Sequence, residues 1–554
     1  MDYRAEYERW LACVDDGELW SELVSMGEAA MRDAFCRELS FGTGGLRGTL
    51  GAGTNRMNTL VVARASQGLA DWLGSGARVV IGYDSRLKSD VFARTAAAVF
   101  AANGLHVLLF PELLPVPTVS FAVRRLKASA GVMITASHNP CRYNGYKVYG
   151  SDGCQITSRA AGEILAAIRK LDLFQDVRSA DFDSAVADGR IRFIGDEVLT
   201  AFLDEVKRQS VLFGDAVDRD VAIVYSPLNG TGRKPVTRVL AESGFTNVTV
   251  VAEQEQPDGR FPTCPYPNPE VPEAMELGLE YCRRLNADLL LATDPDCDRC
   301  GIAVRDGEGY RLLSGNETGL LLLDYICSQK AKHGAMPVRP VFIKTIVTTD
   351  LAEKLAAKYG VETVNVLTGF KYIGEVIGKL EAEGRAGDFI CGFEESYGYL
   401  TGSYVRDKDG VDAALMICEM FAYYKTRGVS LADRLREIYA ECGYCLNTLR
   451  SYAFEGPEGM DKMAEIMARF RKGVPELGDE TVVRVRDYAA GLDGLPPSDV
   501  LKLETADLSA VVRPSGTEPK LKLYLCVRAA DRAAAERKEA RIIREIEDMI
   551  REKL

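Results

Sequence analysis

The sequence predicts an α/β protein of four domains, three of them built on one strand–loop–helix scheme and a fourth, smaller one of α+β type. Three observations carry this. A chain of 554 residues holds three or four domains of ordinary size, about 150 residues each. From Arg78 to about Cys445, short apolar runs alternate with helical periods, the pattern of a parallel or mostly parallel sheet. Beyond Cys445 the pattern changes to short strands and one long charged helix over residues 531–553. The expected divisions are residues 1–210, 211–312, 313–445 and 446–554.

In order, residues 3–40 are helical, with Tyr7, Trp10, Leu11, Leu19, Leu23 and Met31 recurring on one face. A glycine-dense loop follows, Phe41-Gly42-Thr43-Gly44-Gly45-Leu46-Arg47-Gly48. No strand precedes it and its spacing is wrong for a dinucleotide fingerprint, and the chain has no Walker-type loop. Its small residues would let the backbone approach a phosphate, with Arg47 offering a planar fork of donors. Strands are expected at 78–83, 106–110, 131–134 and 142–149, with helices at 89–103, 158–171 and 196–209 and a polar segment at 176–189. The second unit has strands at 221–225, 249–251, 287–293 and 301–304, and a helix at 273–285. The third has helices at 317–329 and 350–359 and strands at 341–347, 362–367 and 388–393. The last shows strands at 481–486, 501–503, 510–512 and 520–526.

Bulk properties narrow the function. A composition 47% hydrophobic and 27% charged is that of a globular protein with several cores. A net charge of −12 argues against nucleic acid or an anionic membrane as partner, so an anionic ligand needs locally concentrated cations. There is no apolar run of membrane-spanning length and no secretory apolar core at the start. Fourteen scattered cysteines without metal spacing suit a reduced cytoplasm. Three histidines are too few for histidine-built zinc chemistry.

Four polar loops carry the chemistry. The buried run Val132-Met133-Ile134 breaks into Thr135-Ala136-Ser137-His138-Asn139-Pro140, putting Ser137 at a strand's carboxyl end, where open α/β sheets keep their ligands. Taken alone, that turn is better explained as a strand-to-helix turn with Ser137 or Asn139 as a helix cap. A second strand discharges into Asp294-Pro295-Asp296-Cys297-Asp298-Arg299. Three carboxylates at alternate positions repel unless a cation sits among them. An EF-hand is disfavoured, because its sixth and twelfth positions are here Arg299 and Arg305. Arg513-Pro514-Ser515-Gly516-Thr517 forms an anion nest suited to a phosphate dianion. Glu394 and Ser396, two apart on an extended segment, would face one side and offer groups to sugar hydroxyls. Lys147, near Ser137 in sequence, could stabilise charge or move a proton. A serine that carries phosphate, a cation and a remote phosphate grip together suit movement of a phosphoryl group between two positions of one phosphosugar.

With these motifs in this order, and with Gly42–Gly48 and Gly392-Phe393-Glu394-Glu395-Ser396-Tyr397-Gly398 added, the chain resembles the α-D-phosphohexomutase superfamily over nearly its whole length. It is most similar to the phosphoglucomutase-2/phosphopentomutase-like branch. The resemblance implies a heart-shaped molecule of four domains with the cleft at their meeting point. It implies phosphate on Ser137 and Mg²⁺ bound by Asp294, Asp296 and Asp298 with the serine phosphate. Arg47 and Lys147 would flank the transferring group, with Lys147 as general acid/base and His138 shaping the serine loop. Thr368, Gly369, Glu394 and Ser396 would face the sugar. Lys408, Arg513, Ser515, Gly516 and Thr517 would hold the distal phosphate, and Arg299 would be secondary. The implied activity interconverts glucose 1-phosphate and glucose 6-phosphate through glucose 1,6-bisphosphate, in a cytoplasmic monomer or homodimer. Phosphopentomutase, phosphomannomutase or sugar-bisphosphate synthase activity, or a non-catalytic phosphosugar-binding protein, are the alternatives. Cys297 stands where relatives usually have a small residue, at a position that is not a ligand; Tyr397 varies among branches and leaves hexose against pentose selectivity open.

Overall fold

The computed structural model describes residues 2–42, 44–454, 459–514 and 520–551. Three helices, Tyr3–Cys13, Gly17–Ser25 and Glu28–Phe35, open the chain. Asp2 and Asp16 cap the first two through their carboxylates, and Trp10, Leu23 and Phe35 bury their inner faces.

The first sheet contains β1 (Gly45–Thr49), β2 (Arg78–Tyr83), β3 (His106–Leu109), β4 (Ala130–Ile134), β5 (Tyr143–Gly150) and β6 (Ile191–Phe193), in the order β1-β5-β4-β2-β3-β6. The second has β7 (Ile223–Ser226), β8 (Val248–Val250), β9 (Leu289–Thr293), β10 (Cys300–Asp306) and β11 (Gly309–Leu313), in the order β11-β10-β9-β7-β8. The third, β12 (Val341–Thr345), β13 (Glu362–Val366), β14 (Phe389–Glu394) and β15 (Gly398–Leu400), runs β13-β12-β14-β15.

One core recurs in all three sheets. A first strand (β2, β7 or β12) lies between two parallel neighbours, and the third strand turns back into an antiparallel fourth. The third strands β4, β9 and β14 are buried along their whole length, as strands covered on both faces must be. The three third-to-fourth turns carry Ser137, the three aspartates, and Glu395-Ser396-Tyr397. Each turn also holds one non-glycine residue in the left-handed region: Ser137 (φ 53°), Cys297 (φ 51°) and Tyr397 (φ 65°). Such a residue costs about 1–2 kcal/mol, so each turn is held by its surroundings.

The fourth sheet is antiparallel and built from β16 (Tyr444–Ala453), β19 (Arg484–Asp487), β20 (Leu501–Glu504), β21 (Leu508–Pro514) and β22 (Lys520–Ala529), in the order β16-β22-β21-β20-β19. A ribbon of β17 (Glu476–Leu477) and β18 (Glu480–Thr481) and the helices Gly459–Lys472 and Arg532–Arg551 complete it. No helix among the described residues is long and apolar enough to cross a membrane.

The structure departs from the sequence reading in several places. Half of the glycine-dense loop is strand β1, because its glycines let it lie against β5: a Cβ on Gly45 would sit 1.8 Å from the Tyr146 carbonyl oxygen. The polar segment at 176–189 contains the helix Phe182–Ala187. The helix Thr59–Leu73 was not foreseen; its Gly68 packs against Ile168, whose Cγ1 would lie 2.4 Å from a Cβ there. The helix Phe370–Ala382 and the strands β11 and β16 were also not foreseen.

Candidate active site

The serine turn is built from its backbone outward. Ser137 donates its amide N–H to Thr135 Oγ1 at 2.8 Å, and Thr135 Oγ1 lies 2.6 Å from Asp84 and 3.1 Å from Asp296. The Ser137 hydroxyl donates to Asp294 Oδ2 at 2.7 Å, and His138 Nδ1 stands 3.3 Å away. Burial, and after it Arg299 and Arg47, hold the His138 imidazole well below its ordinary pKa, so it is neutral. Asn139 accepts a hydrogen bond from Arg47 Nη1 at 3.3 Å.

Asp294, Asp296 and Asp298 are buried and offer carboxylate oxygens all within 4.8 Å of one another. Asp294 Oδ1 accepts the backbone N–H groups of Asp298 and Arg299 at 3.1 and 3.0 Å. Burial, then the two neighbouring aspartates, push its pKa well above the usual carboxylate range. At Asp296 burial acts in the same direction, but Lys147, a hydrogen bond with Asp294 and Lys408 together outweigh it and keep that carboxyl ionised. Asp296 Oδ1 and Asp298 Oδ1 are buried without a hydrogen-bond partner. Oxygen donors crowded in this way fit a hard divalent cation, and the trio could hold one.

Strand register explains the cations. Gly45 pairs with Lys147 and Arg47 with Gly145 across β1 and β5. Arg47 and Lys147 therefore share one face of the sheet. Lys147 Nζ lies 2.9 Å from Asp296 and 3.5 Å from Asp298. Burial lowers its pKa, but the two aspartates more than offset this and keep it a charged donor. Lys408 Nζ stands 3.2 Å from Asp298 and 3.3 Å from Asp407, which puts it at the aspartate end of the cleft. Arg299 is paired with Glu270, which the sequence reading did not single out.

At the third turn, Glu394 ends β14 and accepts the Gly369 N–H at 3.0 Å. Ser396 lies in the turn rather than on an extended segment, because Tyr397 takes the left-handed region and reverses the chain. Both nevertheless line the cleft. Thr368 also lines it, and its buried hydroxyl has no hydrogen-bond partner. Burial, then Glu394, push the Glu395 carboxyl up to about 7.

One cleft of about 780 Å³ collects these groups from all four sheets, and Arg513 lines its far side. That volume suits a small ligand. Ser515, Gly516 and Thr517 lie outside the described residues. Lys522 pairs across the β21–β22 ladder with Arg513, and with Tyr524 and Asn447 it also faces the cleft. Only their register on those strands could have revealed them. Arg86, beneath the serine turn, was passed over as the polar end of β2.

A parallel-sheet turn repeated three times around one cation-lined cleft, with an antiparallel fourth unit at its rim, defines a multidomain α/β enzyme. The chain belongs to the phosphoglucomutase/phosphomannomutase family. Its alpha/beta/alpha domains I, II and III match at residues 38–174, 200–307 and 314–442, and its C-terminal domain at 455–549. Curated relatives include the phosphoglucomutase of Staphylococcus saprophyticus, 34% identical over 93% of this chain and 95% of the relative. That of Staphylococcus epidermidis is 36% identical over 93% and 95%. Two solved structures share the fold. A phosphoglucomutase/phosphomannomutase family protein from Burkholderia thailandensis has a TM-score of 0.67 at 19% identity, over 92% of this chain and 97% of that one. The open form of the exocytosis-sensitive phosphoprotein parafusin, a phosphoglucomutase from Paramecium, has a TM-score of 0.67 at 16% identity, over 93% and 96%.

Proposed function

We propose that this chain is a Mg²⁺-dependent mutase interconverting α-D-glucose 1-phosphate and glucose 6-phosphate through phosphoserine at Ser137 and a glucose 1,6-bisphosphate intermediate. The observation that carries the reading is the Ser137 hydroxyl, 2.7 Å from the aspartate trio and lining the cleft that Arg513 borders. The phosphoglucomutase relatives support the choice of glucose phosphates.

In the first half-reaction the bond between phosphorus and Ser137 Oγ breaks as one forms to the free hydroxyl of the sugar phosphate. The bisphosphate then turns by about half a turn, and the second half-reaction returns its other phosphate to Ser137. Lys147 moves the proton between Ser137 Oγ and the sugar hydroxyl, while Arg47 flanks the transferring group. Held by Asp294, Asp296, Asp298 and the serine phosphate, Mg²⁺ supplies neutralisation of the charge that gathers on the transferring oxygens. His138 shapes the serine loop without taking a proton. Glu394, Ser396, Thr368 and Gly369 receive the sugar, with Arg299 behind them. Arg513, Ser515, Gly516 and Thr517 hold the phosphate that is not reacting, whereas Lys408, 3.2 Å from Asp298, stands beside the reacting one. The fourth unit closes on the substrate, because water would otherwise hydrolyse the phosphoserine. The unit boundaries in this reading are residues 1–210, 211–312, 313–445 and 446–554.

Ser137→Ala tests the core of it. Mutase turnover should vanish while glucose 1-phosphate still binds in a calorimetric titration; substantial remaining turnover removes Ser137 from the mechanism. Comparing kcat/KM for glucose 1-phosphate, mannose 1-phosphate and ribose 1-phosphate decides the sugar.

A further inference from the structure

We propose that Arg86 is a positioning residue for phosphoryl transfer: buried beneath the serine turn, it grips that turn by four backbone carbonyls and so fixes where the Ser137 hydroxyl points. The proposal rests on the phosphoserine reading and names a residue that reading does not use.

The Arg86 side chain is wholly enclosed, 0% exposed. Its Nε donates to the Ser137 carbonyl at 3.1 Å, and Nη2 donates to the carbonyls of Ser137 and Asn139. Nη1 donates to those of Pro140 and Tyr143, each at 3.0 Å. A guanidinium has five N–H donors, and these five bonds use all of them on one turn. Asp84 completes the arrangement: it pairs with Arg86 Nε at 3.5 Å, accepts the Arg86 amide N–H at 2.9 Å, and lies 2.6 Å from Thr135 Oγ1. Thr135 in turn accepts the Ser137 amide N–H. Both peptide groups of Ser137 are therefore held by buried side chains that converge on one carboxylate.

The clamp also joins the serine to the unit that carries the aspartates. The Phe261 ring, from the second unit, stacks on the guanidinium with 5.1 Å to its centroid. Gly259 bridges to Arg86 through the backbone, and a Cβ there would lie 2.4 Å from the Leu87 nitrogen. A left-handed serine persists only where its surroundings over-determine it, and Arg86, with Thr135 on the amide side, does so. It acts through the backbone, so it orients the reacting oxygen without touching it. Misplacement of a reacting group by about 1 Å costs about 10²-fold in rate. Lysine, a point charge with three donors, cannot span four carbonyls.

The test uses the full-length Arg86→Lys variant beside the wild type. Phosphate transfer from glucose 1,6-bisphosphate to Ser137 is followed by intact mass in quenched samples, and kcat and KM for glucose 1-phosphate are measured in parallel. Arg86→Lys should lower the phosphorylation rate and kcat together by about 10²-fold, with KM held within about threefold because the sugar-facing groups lie elsewhere. A lower melting temperature with an unchanged phosphorylation rate would make Arg86 purely structural and overturn the proposal. Should Arg86→Lys fail to fold, Asp84→Asn keeps the volume and removes the anchor. A drop of about tenfold in the same two rates supports the clamp, and unchanged rates sink it. If the wild type itself takes no phosphate onto Ser137, the mutase reading falls and this proposal falls with it.

Discussion

At the scale of single residues, the site balances buried charges of opposite sign. Asp296 and Asp298 each keep one oxygen without a hydrogen-bond partner; Lys147 stands against both carboxylates and Lys408 against Asp298. Lys147 is thus held as a charged donor beside the serine turn. Replacing it with methionine keeps most of the stem and removes the proton. Lys147→Met should lower kcat by about 10²–10⁴-fold, the range of a lost general acid or base, with little change in KM. Steady-state kinetics over a range of glucose 1-phosphate concentrations checks this. The proposed reacting residues were legible in sequence because Ser137 and the three aspartates sit in short local motifs. Asp84, Arg86 and Thr135 were not read as a unit, because Arg86 meets Ser137 across 51 positions of chain. Lys522 and Tyr524 were missed for a similar reason, since only a strand register turns them toward the cleft.

At the scale of elements, alternation of strands and helices exposed three repeated units, but not how closely their backbones approach. The turn after β14 shows the difference. Read as extended, it put Glu394 and Ser396 on one side by periodicity; folded, it reaches the same cleft through a left-handed Tyr397. Glycine at 315 permits this. It is the first residue of the helix Gly315–Lys332, whose cap is a reciprocal pair between Ser314 and Glu317. A Cβ on Gly315 would stand 2.1 Å from the Glu395 carbonyl oxygen and 2.7 Å from the Tyr397 nitrogen. Gly315→Ala must therefore push the turn outward, with an overpacking cost of about 1–3 kcal/mol. The helix cap would survive. Expected are a lower melting temperature and a KM for glucose 1-phosphate raised by about tenfold, through displaced sugar-facing groups; thermal melts and initial rates give both.

At the scale of the molecule, the third and fourth units are pinned behind the cleft by Asp350. Its carboxylate accepts from Lys502 Nζ at 2.8 Å and Ser509 Oγ at 2.6 Å, both in the fourth unit, and from Lys344 Nζ at 3.4 Å. Burial raises its pKa, but Lys344 and Lys502 outweigh burial and hold it below the ordinary carboxylate range. The sign follows from linkage. A carboxyl whose folded pKa lies below its unfolded value of about 3.9 stabilises the fold fully above that value. The contribution is lost as pH falls from there through the folded pKa. Asp350→Asn should cost about 2–3 kcal/mol at neutral pH, with Glu353, 3.1 Å from Lys344, and Glu504, 3.9 Å from Lys502, left as the lysines' partners. The difference from wild type should shrink toward zero in acid, and urea melts at pH 7 and below pH about 4 measure it. A constant difference at both would remove Asp350 from the acid response. None of this was legible in the sequence, where Asp350 read as the start of a helix.

The Phe261 ring over Arg86 and the backbone bridge from Gly259 also order events in time. A ribosome makes the serine turn more than a hundred residues before it makes the segment that seals the underside of that turn. On the proposed mechanism the serine turn therefore stays unclamped through that interval, and the enzyme acquires its chemistry by assembly of its parts rather than by completion of any one of them.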